Sequence, residues 1–192
     1  MPKKSGVAFI LVGMVLILSA LSLFLYNRYA DAQAGQEAER LLADVQTFIE
    51  KEPASLSEET LAPELPVAEI DGYGYVGYVS IPKLGLELPV MSEWDYERLK
   101  IAPCRQFGSS RTDDLVIAAH NYKNHFGSLF QLEEGDSVIF TDMDGIENFY
   151  EVTCMDALKS TEIDAVQNSG HDLALYTCTY SGKTRVTVFC DR

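Results

Sequence analysis

Cys178, His120 and Arg185 are the side chains whose types could together carry covalent chemistry. A thiolate is a nucleophile, an imidazole passes protons near neutral pH, and a guanidinium steadies an oxyanion. Cys178 ends the apolar run Leu173-Ala174-Leu175-Tyr176-Thr177. Strand alternation puts Ala174, Tyr176 and Cys178 on one face. A thiol at a strand end beside a polar turn is open to solvent, whereas a core thiol more often sits mid-strand. Position alone leaves both readings open. If Ser181-Gly182 is a two-residue hairpin turn, Tyr180 faces Lys183 and Cys178 faces Arg185. Directly opposed Cβ atoms lie about 4.5–5.5 Å apart on one face of a sheet. The guanidinium then sits beside the thiol, favouring the thiolate and offering donors to an oxyanion. The competing role for Arg185 is a charge that blunts an edge strand.

Three histidines compete for the role of base. His120 directly follows the run Leu115-Val116-Ile117-Ala118-Ala119, where a strand gives way to a loop. His125 lies in the polar loop 121–127, placed to touch a substrate. His171 lies in the turn Ser169-Gly170-His171-Asp172 and reads as a solvated loop residue. Partnership with Cys178 is what raises His120 above a structural histidine. The other thiols are Cys104, Cys154 and Cys190. They form no C-x-x-C pair, so a zinc knuckle or a thioredoxin-type site has no support, and no metal or cofactor is expected. Disulfide pairing among the four is left open.

The elements that must position these groups are short strands. Tyr73–Ile81, Leu86–Met91, Leu115–Ala119, Ser137–Thr141, Asn148–Met155, Leu173–Cys178 and Arg185–Cys190 alternate or run apolar between turn residues. Residues 94–100 and 161–166 suit short connecting helices. Seven or eight strands in about 120 residues predict a mainly β domain, a closed barrel or a sandwich. The turn Thr141-Asp142-Met143-Asp144-Gly145 looks like a fragment of a calcium loop. It lacks the remaining spacing and the distal Glu, so it reads as a hairpin turn.

Upstream, Gly6 to Tyr26 carry no charge. As a helix they span roughly 30 Å, the thickness of a bilayer's hydrocarbon core. Cleavage after the small residues near Ala30-Asp31-Ala32 stays open, but the length favours a retained anchor. Lys3 and Lys4 precede the span, which puts the N-terminus in the cytoplasm and the remainder outside. Residues 31–52 then show Leu41, Leu42, Val45, Phe48 and Ile49 at helical spacing. Pro53, Pro63 and Pro66 interrupt an acidic linker with Glu58, Glu59 and Glu64. The expected organisation is an anchor (1–28), a juxtamembrane helix and linker (29–71) and a catalytic domain (72–192). With 29 acidic against 15 basic residues, the chain lacks the clustered cations that nucleic-acid binding needs.

Several segments resemble the sortase family. Leu175-Tyr176-Thr177-Cys178 is similar to its T-L-x-T-C motif, with Ala174 in place of the first threonine, and Arg185 follows at the family's interval on the next strand. Ala119-His120-Asn121 followed by Phe126-Gly127-Ser128-Leu129 resembles its histidine segment. The run from Ile81-Pro82-Lys83 through Leu88-Pro89-Val90 resembles its early signature. No D-P-[FW] triplet precedes Ile81-Pro82-Lys83, and no hydrophobic anchor follows the last strand. Both features point away from the lid-bearing, pilin-polymerising subclass. The resemblance implies a sortase-like eight-stranded barrel and cleavage of an L-P-x-T-G-like sorting signal on surface proteins. Transfer to an amine, on a peptidoglycan precursor or another surface protein, would follow through a thioacyl-enzyme. It gives Cys178 the nucleophile's role, His120 the proton transfer, Arg185 the oxyanion, and Thr177 a place lining the oxyanion site. Competing enzyme readings fit less well. An L,D-transpeptidase would want S-H-G-C, and papain-like or NlpC-type peptidases place cysteine before histidine. A non-catalytic adhesion domain would leave the Cys178–Arg185 pairing unexplained.

Overall fold

Alternating and continuous apolar runs in the C-terminal two-thirds of the chain bury the inner faces of the strands, and the edges of the sheet meet. The computed structural model describes residues 3–51, 62–179 and 181–192. The Pro53 to Glu59 part of the expected linker and the Tyr180–Lys183 pairing involve residues outside that set. The strands are β1 (Ala68–Ile70), β2 (Tyr73–Ile81), β3 (Leu86–Met91), β4 (Cys104–Phe107), β5 (Leu115–Ala119), β6 (Ser137–Asp142), β7 (Glu147–Lys159), β8 (Leu173–Cys178) and β9 (Thr184–Asp191). Their order is β1-β2-β3-β4-β5-β8-β9-β7-β6, and β6 pairs back onto β2. Eight strands therefore close a barrel, with β1 appended beside β2. The β3–β4 and β5–β8 pairs are parallel and the rest antiparallel. Inward residues such as Val79, Ile117, Leu129, Phe140, Leu175 and Val188 fill the interior. On the outer face, Val116, Ala118, Ala174, Tyr176 and Phe189 form a second, smaller cluster.

Two strands were not anticipated. β4 is four residues long and bulged between Arg105 and Phe107, too short to show a period. β1 pairs with β2 across Asp71-Gly72, both at positive φ (51° and 80°), a two-residue turn of the kind Asp-Gly favours. β7 also runs four residues beyond the expected Met155, to Lys159. The helix expected over residues 94–100 shrinks to a 3₁₀ turn at Arg98–Lys100, and that over 161–166 becomes α2 (Asp164–Gln167). The acidic turn after β6 is a hairpin turn, as expected. Asp142 Oδ1 accepts the Asp144 and Ile146 N–H groups, and the guanidinium of Arg111 bonds to both Asp142 and Asp144. An arginine thus neutralises the carboxylates.

Among the described residues, one helix, α1 (Lys3–Lys51), precedes the strands. The chain divides into two units, residues 1–33 and 34–192. The first unit carries a stretch long and apolar enough to cross a membrane, with mean hydropathy 2.8 and its side chains unburied. In the second unit, Ala34, Ala38, Leu41 and Val45 recur every three or four residues and are buried. Leu41 and Val45 join Tyr75, Met91, Cys104 and Met143 in one cluster, so this part of the helix is packed against the barrel wall.

Candidate active site

Three neighbouring strands, β5, β8 and β9, bring the expected site residues into one row. The parallel β5–β8 ladder ends at the pair Ala119–Thr177. His120 and Cys178 are the next residues, so both leave the barrel at the same level on adjacent strands. On the other flank of β8, Cys178 pairs with Arg185. The register expected from the hairpin is the one observed. Its turn closes with the Gly182 N–H donating to the Thr179 carbonyl, and Gly182 takes a left-handed φ of 68°. The Thr179 hydroxyl bridges across to the Thr184 carbonyl at 3.0 Å and pins the hairpin just beyond the thiol.

Cys178 is exposed and its thiol is free. Alternation along β8 sends Leu173 and Leu175 into the barrel, and Ala174, Tyr176 and Cys178 outward. Arg185 lies over the Tyr176 ring, 5.4 Å from its centroid, which holds the long side chain against the sheet. The Tyr176 hydroxyl in turn donates to Gln106 Oε1 at 2.5 Å. Burial pushes the Tyr176 phenol up to about 12, with Arg185 opposing the rise, so it remains a neutral donor. A shallow pocket opens beside Arg185, lined by Tyr176, Gln106, Lys159, Glu162, Ile163 and Val166. Arg185 and Tyr176 thus border a groove that also takes in Ile163 and Val166.

His120 is half-buried at the start of a tight loop. The His125 and Gly127 N–H groups both donate to the Tyr122 carbonyl, and the Phe126 N–H donates to the His120 carbonyl. A Cβ on Gly127 would fall 2.6 Å from the Tyr122 carbonyl oxygen, so only glycine permits the fold-back. Tyr122 stacks on the His120 ring, with centroids 4.4 Å apart. Burial, and secondarily the Lys100 charge, hold the His120 imidazole below its usual range. The neutral form, able to accept a proton, is thereby favoured.

The other candidates fall elsewhere. Thr177 is 3% exposed, and its hydroxyl donates to the Ala119 carbonyl at 2.9 Å, locking β8 to β5 beneath the row. His125 is wholly buried, with its ring edge against Tyr122, which removes it from the substrate-facing place its loop suggested. His171 is half-buried and hydrogen-bonded through Nδ1 to Asp191 rather than solvated. All four cysteines are free, and burial pushes the Cys104 and Cys190 thiols up to about 12. Sequence reasoning missed Tyr176, Gln106, Tyr122 and Lys100. Tyr176 was legible, because it shares the Cys178 face two residues away. The other three depend on loops and on a strand without a periodic signal.

The model of the sortase domain matches residues 79–192, more than half of the chain. The chain belongs to the sortase family. Sortases are cysteine transpeptidases that act on surface proteins bearing sorting signals. Solved structures agree with the fold. Sortase C1 of Streptococcus agalactiae is 26% identical with a TM-score of 0.55, over 65% of this chain and 70% of that one. Sortase C of Clostridium perfringens SM101 is 24% identical with a TM-score of 0.54, over 79% and 88%. A sortase D5 transpeptidase of Clostridium perfringens is 16% identical with a TM-score of 0.60, over 81% and 98%. A search of the curated proteins gave no match. Sortases of both C and D type are thus similar in fold to this one.

Proposed function

We propose that this sortase cleaves an L-P-x-T-G-like signal on surface proteins and transfers the product to an amine of the cell wall or of another surface protein. The observation that carries the reading is the row His120–Cys178–Arg185 on three adjacent strands of a sortase barrel. The Cys178 thiolate attacks the scissile carbonyl, and Arg185 together with backbone N–H groups holds the oxyanion. His120 protonates the leaving amine, and a thioacyl-enzyme remains. The incoming amine then gives its proton to His120 and releases the acyl group. Thr177 contributes main chain to the wall of this site, its hydroxyl being taken by Ala119. Residues 1–28 serve as a single-pass anchor, 29–71 connect it to the catalytic domain from 72 onward, and Lys3 and Lys4 keep the N-terminus cytoplasmic. The lack of a D-P-[FW] triplet before Ile81-Pro82-Lys83 supports a sortase outside the lid-bearing subclass.

The test is covalent trapping by a sorting-signal peptide whose scissile carbonyl carries a thiol-reactive group. Mass mapping should place an adduct on Cys178, and Cys178→Ala should abolish that adduct and peptide transfer while leaving the fold intact. Transfer that survives in Cys178→Ala, or an unmodified chain labelled elsewhere but not at Cys178, would overturn the assignment.

A further inference from the structure

A second exposed thiol has a base of its own. Cys154 lies on β7 and pairs with Phe189 of β9, whereas Cys178 pairs with Arg185 of that same strand. Four residues along a strand separate the two levels by about 13 Å. His171, from the loop before β8, reaches over this part of the sheet. Its Nδ1 lies 3.0 Å from each carboxylate oxygen of Asp191. A carboxylate accepts, so Nδ1 carries the proton and the lone pair belongs to Nε2. Nε2 points at Cys154 Sγ, 3.9 Å away. The Phe189 ring stacks on the imidazole, with centroids 4.9 Å apart, and the Asp172 N–H ties down the same carboxylate at 3.2 Å. The ring is therefore held by a carboxylate, an aromatic face and a thiol.

This is the order nucleophile, base, orienting acid, built outside the row at Cys178. An ion pair that merely fastened the chain's end would need Asp191 and His171 but not an exposed sulfur at Nε2. The arrangement is not a metal site, since among the described residues no group of His, Cys, Asp and Glu is placed to hold an ion. Nor does it make an internal disulfide: Cys190, the neighbour of Asp191, pairs with Val152 and points into the barrel, and both thiols are free. Asp172 beside His171 and Asp156 two residues along β7 add negative charge, which disfavours a bare thiolate. The imidazolium is what would hold one there.

We propose that Cys154 is a reactive thiol, activated by His171 and Asp191, that takes up a mixed disulfide by exchange with small-molecule disulfides. The Cys154 proton moves to Nε2, and the thiolate attacks one sulfur of the disulfide. A new S–S bond forms at Cys154 and the reagent's S–S bond breaks. The departing sulfur takes the electron pair and the proton from His171, leaving as a thiol. Cys154 is oxidised and one half of the reagent is reduced, so nothing further is required.

The full chain carrying Cys178→Ala, in detergent micelles, removes the other exposed thiol. Its reaction with 4,4′-dithiodipyridine at pH 6.5 is followed by thiopyridone absorbance, and the adduct is located by mass. One thiol, Cys154, should react about tenfold faster than the cysteine of an unfolded peptide spanning residues 151–157, since an ordinary thiol is only about 1% thiolate at that pH. His171→Gln should remove that advantage, and Asp191→Asn should remove part of it. A folded-chain rate equal to or below the peptide's overturns the proposal without any variant at His171. An unchanged rate in a folded His171→Gln chain overturns it as well. Where that variant fails to fold, the Asp191→Asn rate decides, and no slowing there counts against the proposal.

Discussion

Cys178 and Cys190 belong to the same two-strand ladder, one on β8 and the other on β9. Cys178 pairs with Arg185, and Cys190 with Leu173. Arg185 and Cys190 are five residues apart on β9, an odd number, so their side chains leave opposite faces. Cys178 consequently opens outward beside a guanidinium, while Cys190 turns into the barrel, where burial pushes its thiol up to about 12. Cys104 repeats the Cys190 case on β4, against the α1 side of the barrel. Two identical functional groups in one sheet are set apart by strand parity and by distance from the strand end, one facing out beside a cation and the other packed inside. Reactivity is set by face and neighbour rather than by residue type.

The sharpest way to break this comparison is to change the neighbour and leave the thiol. Arg185 offers a planar fork of donors, steadied over Tyr176. Lysine keeps the charge but not the fork. Losing a preorganised oxyanion donor typically lowers kcat by about 10²–10³. Arg185→Lys and Arg185→Ala should both fall by about that much with a sorting-signal peptide. Cys178 should still be alkylated in both variants. Near-normal turnover in the lysine variant would mean that charge alone suffices. Near-normal turnover in the alanine variant would return Arg185 to the role of an edge-strand residue.

The β8–β9 hairpin was legible because turn residues and alternation fix a register together. Strand, turn and strand all lie within residues 173–190, so pairing could be counted without knowledge of the rest. The relation of His120 to Cys178 needed the parallel β5–β8 contact, and no local signal reports a pairing across more than fifty residues. Only the resemblance to sortases supplied it. β4 was illegible for a different reason: Cys104, Arg105, Gln106 and Phe107 are bulged and mixed in polarity. Its absence hid Gln106, and with it the hydrogen bond that holds Tyr176 under Arg185. β1 left a signal in Asp71-Gly72, but the proline-rich acidic run before it resembled a linker. The place of His171 could not be read, since its loop folds onto Asp191 at the far end of β9.

A smaller effect separates His120 from the wholly buried His125. Burial first, and then the Lys100 charge, disfavour its imidazolium, so its folded value lies below the ordinary value of about 6.5. The acid limb of the kcat/KM profile should therefore lie below about 6.5, because only neutral His120 can take the Cys178 proton that it later passes to the leaving amine. Lys100→Gln removes one of the two depressing causes. The limb should then move upward by a fraction of a unit, with the burial contribution left in place. His120→Gln should remove the limb altogether along with most of the rate. An acid limb that stays put in Lys100→Gln and persists in His120→Gln would belong to another group.

The smallest expected effect concerns the buried thiols, and it reverses the pattern of Cys178. Cys104 and Cys190 are buried, and the Cys104 thiol donates to the Ala102 carbonyl at 3.5 Å. Replacement by alanine removes one sulfur from each site and leaves the row at Cys178 untouched. Each change should lower stability by on the order of 1 kcal/mol. For a domain of this size that is about 2–4 °C in Tm. Transfer by the folded fraction should be unaltered. Cys178→Ala should do the opposite, abolishing transfer with Tm unchanged, because an exposed strand-end sulfur contributes little packing. Scanning calorimetry beside the transfer assay separates the two classes. Lost transfer in a folded Cys190→Ala chain would mean that the inward face of β9 takes part in the chemistry, and the division by strand parity would fail.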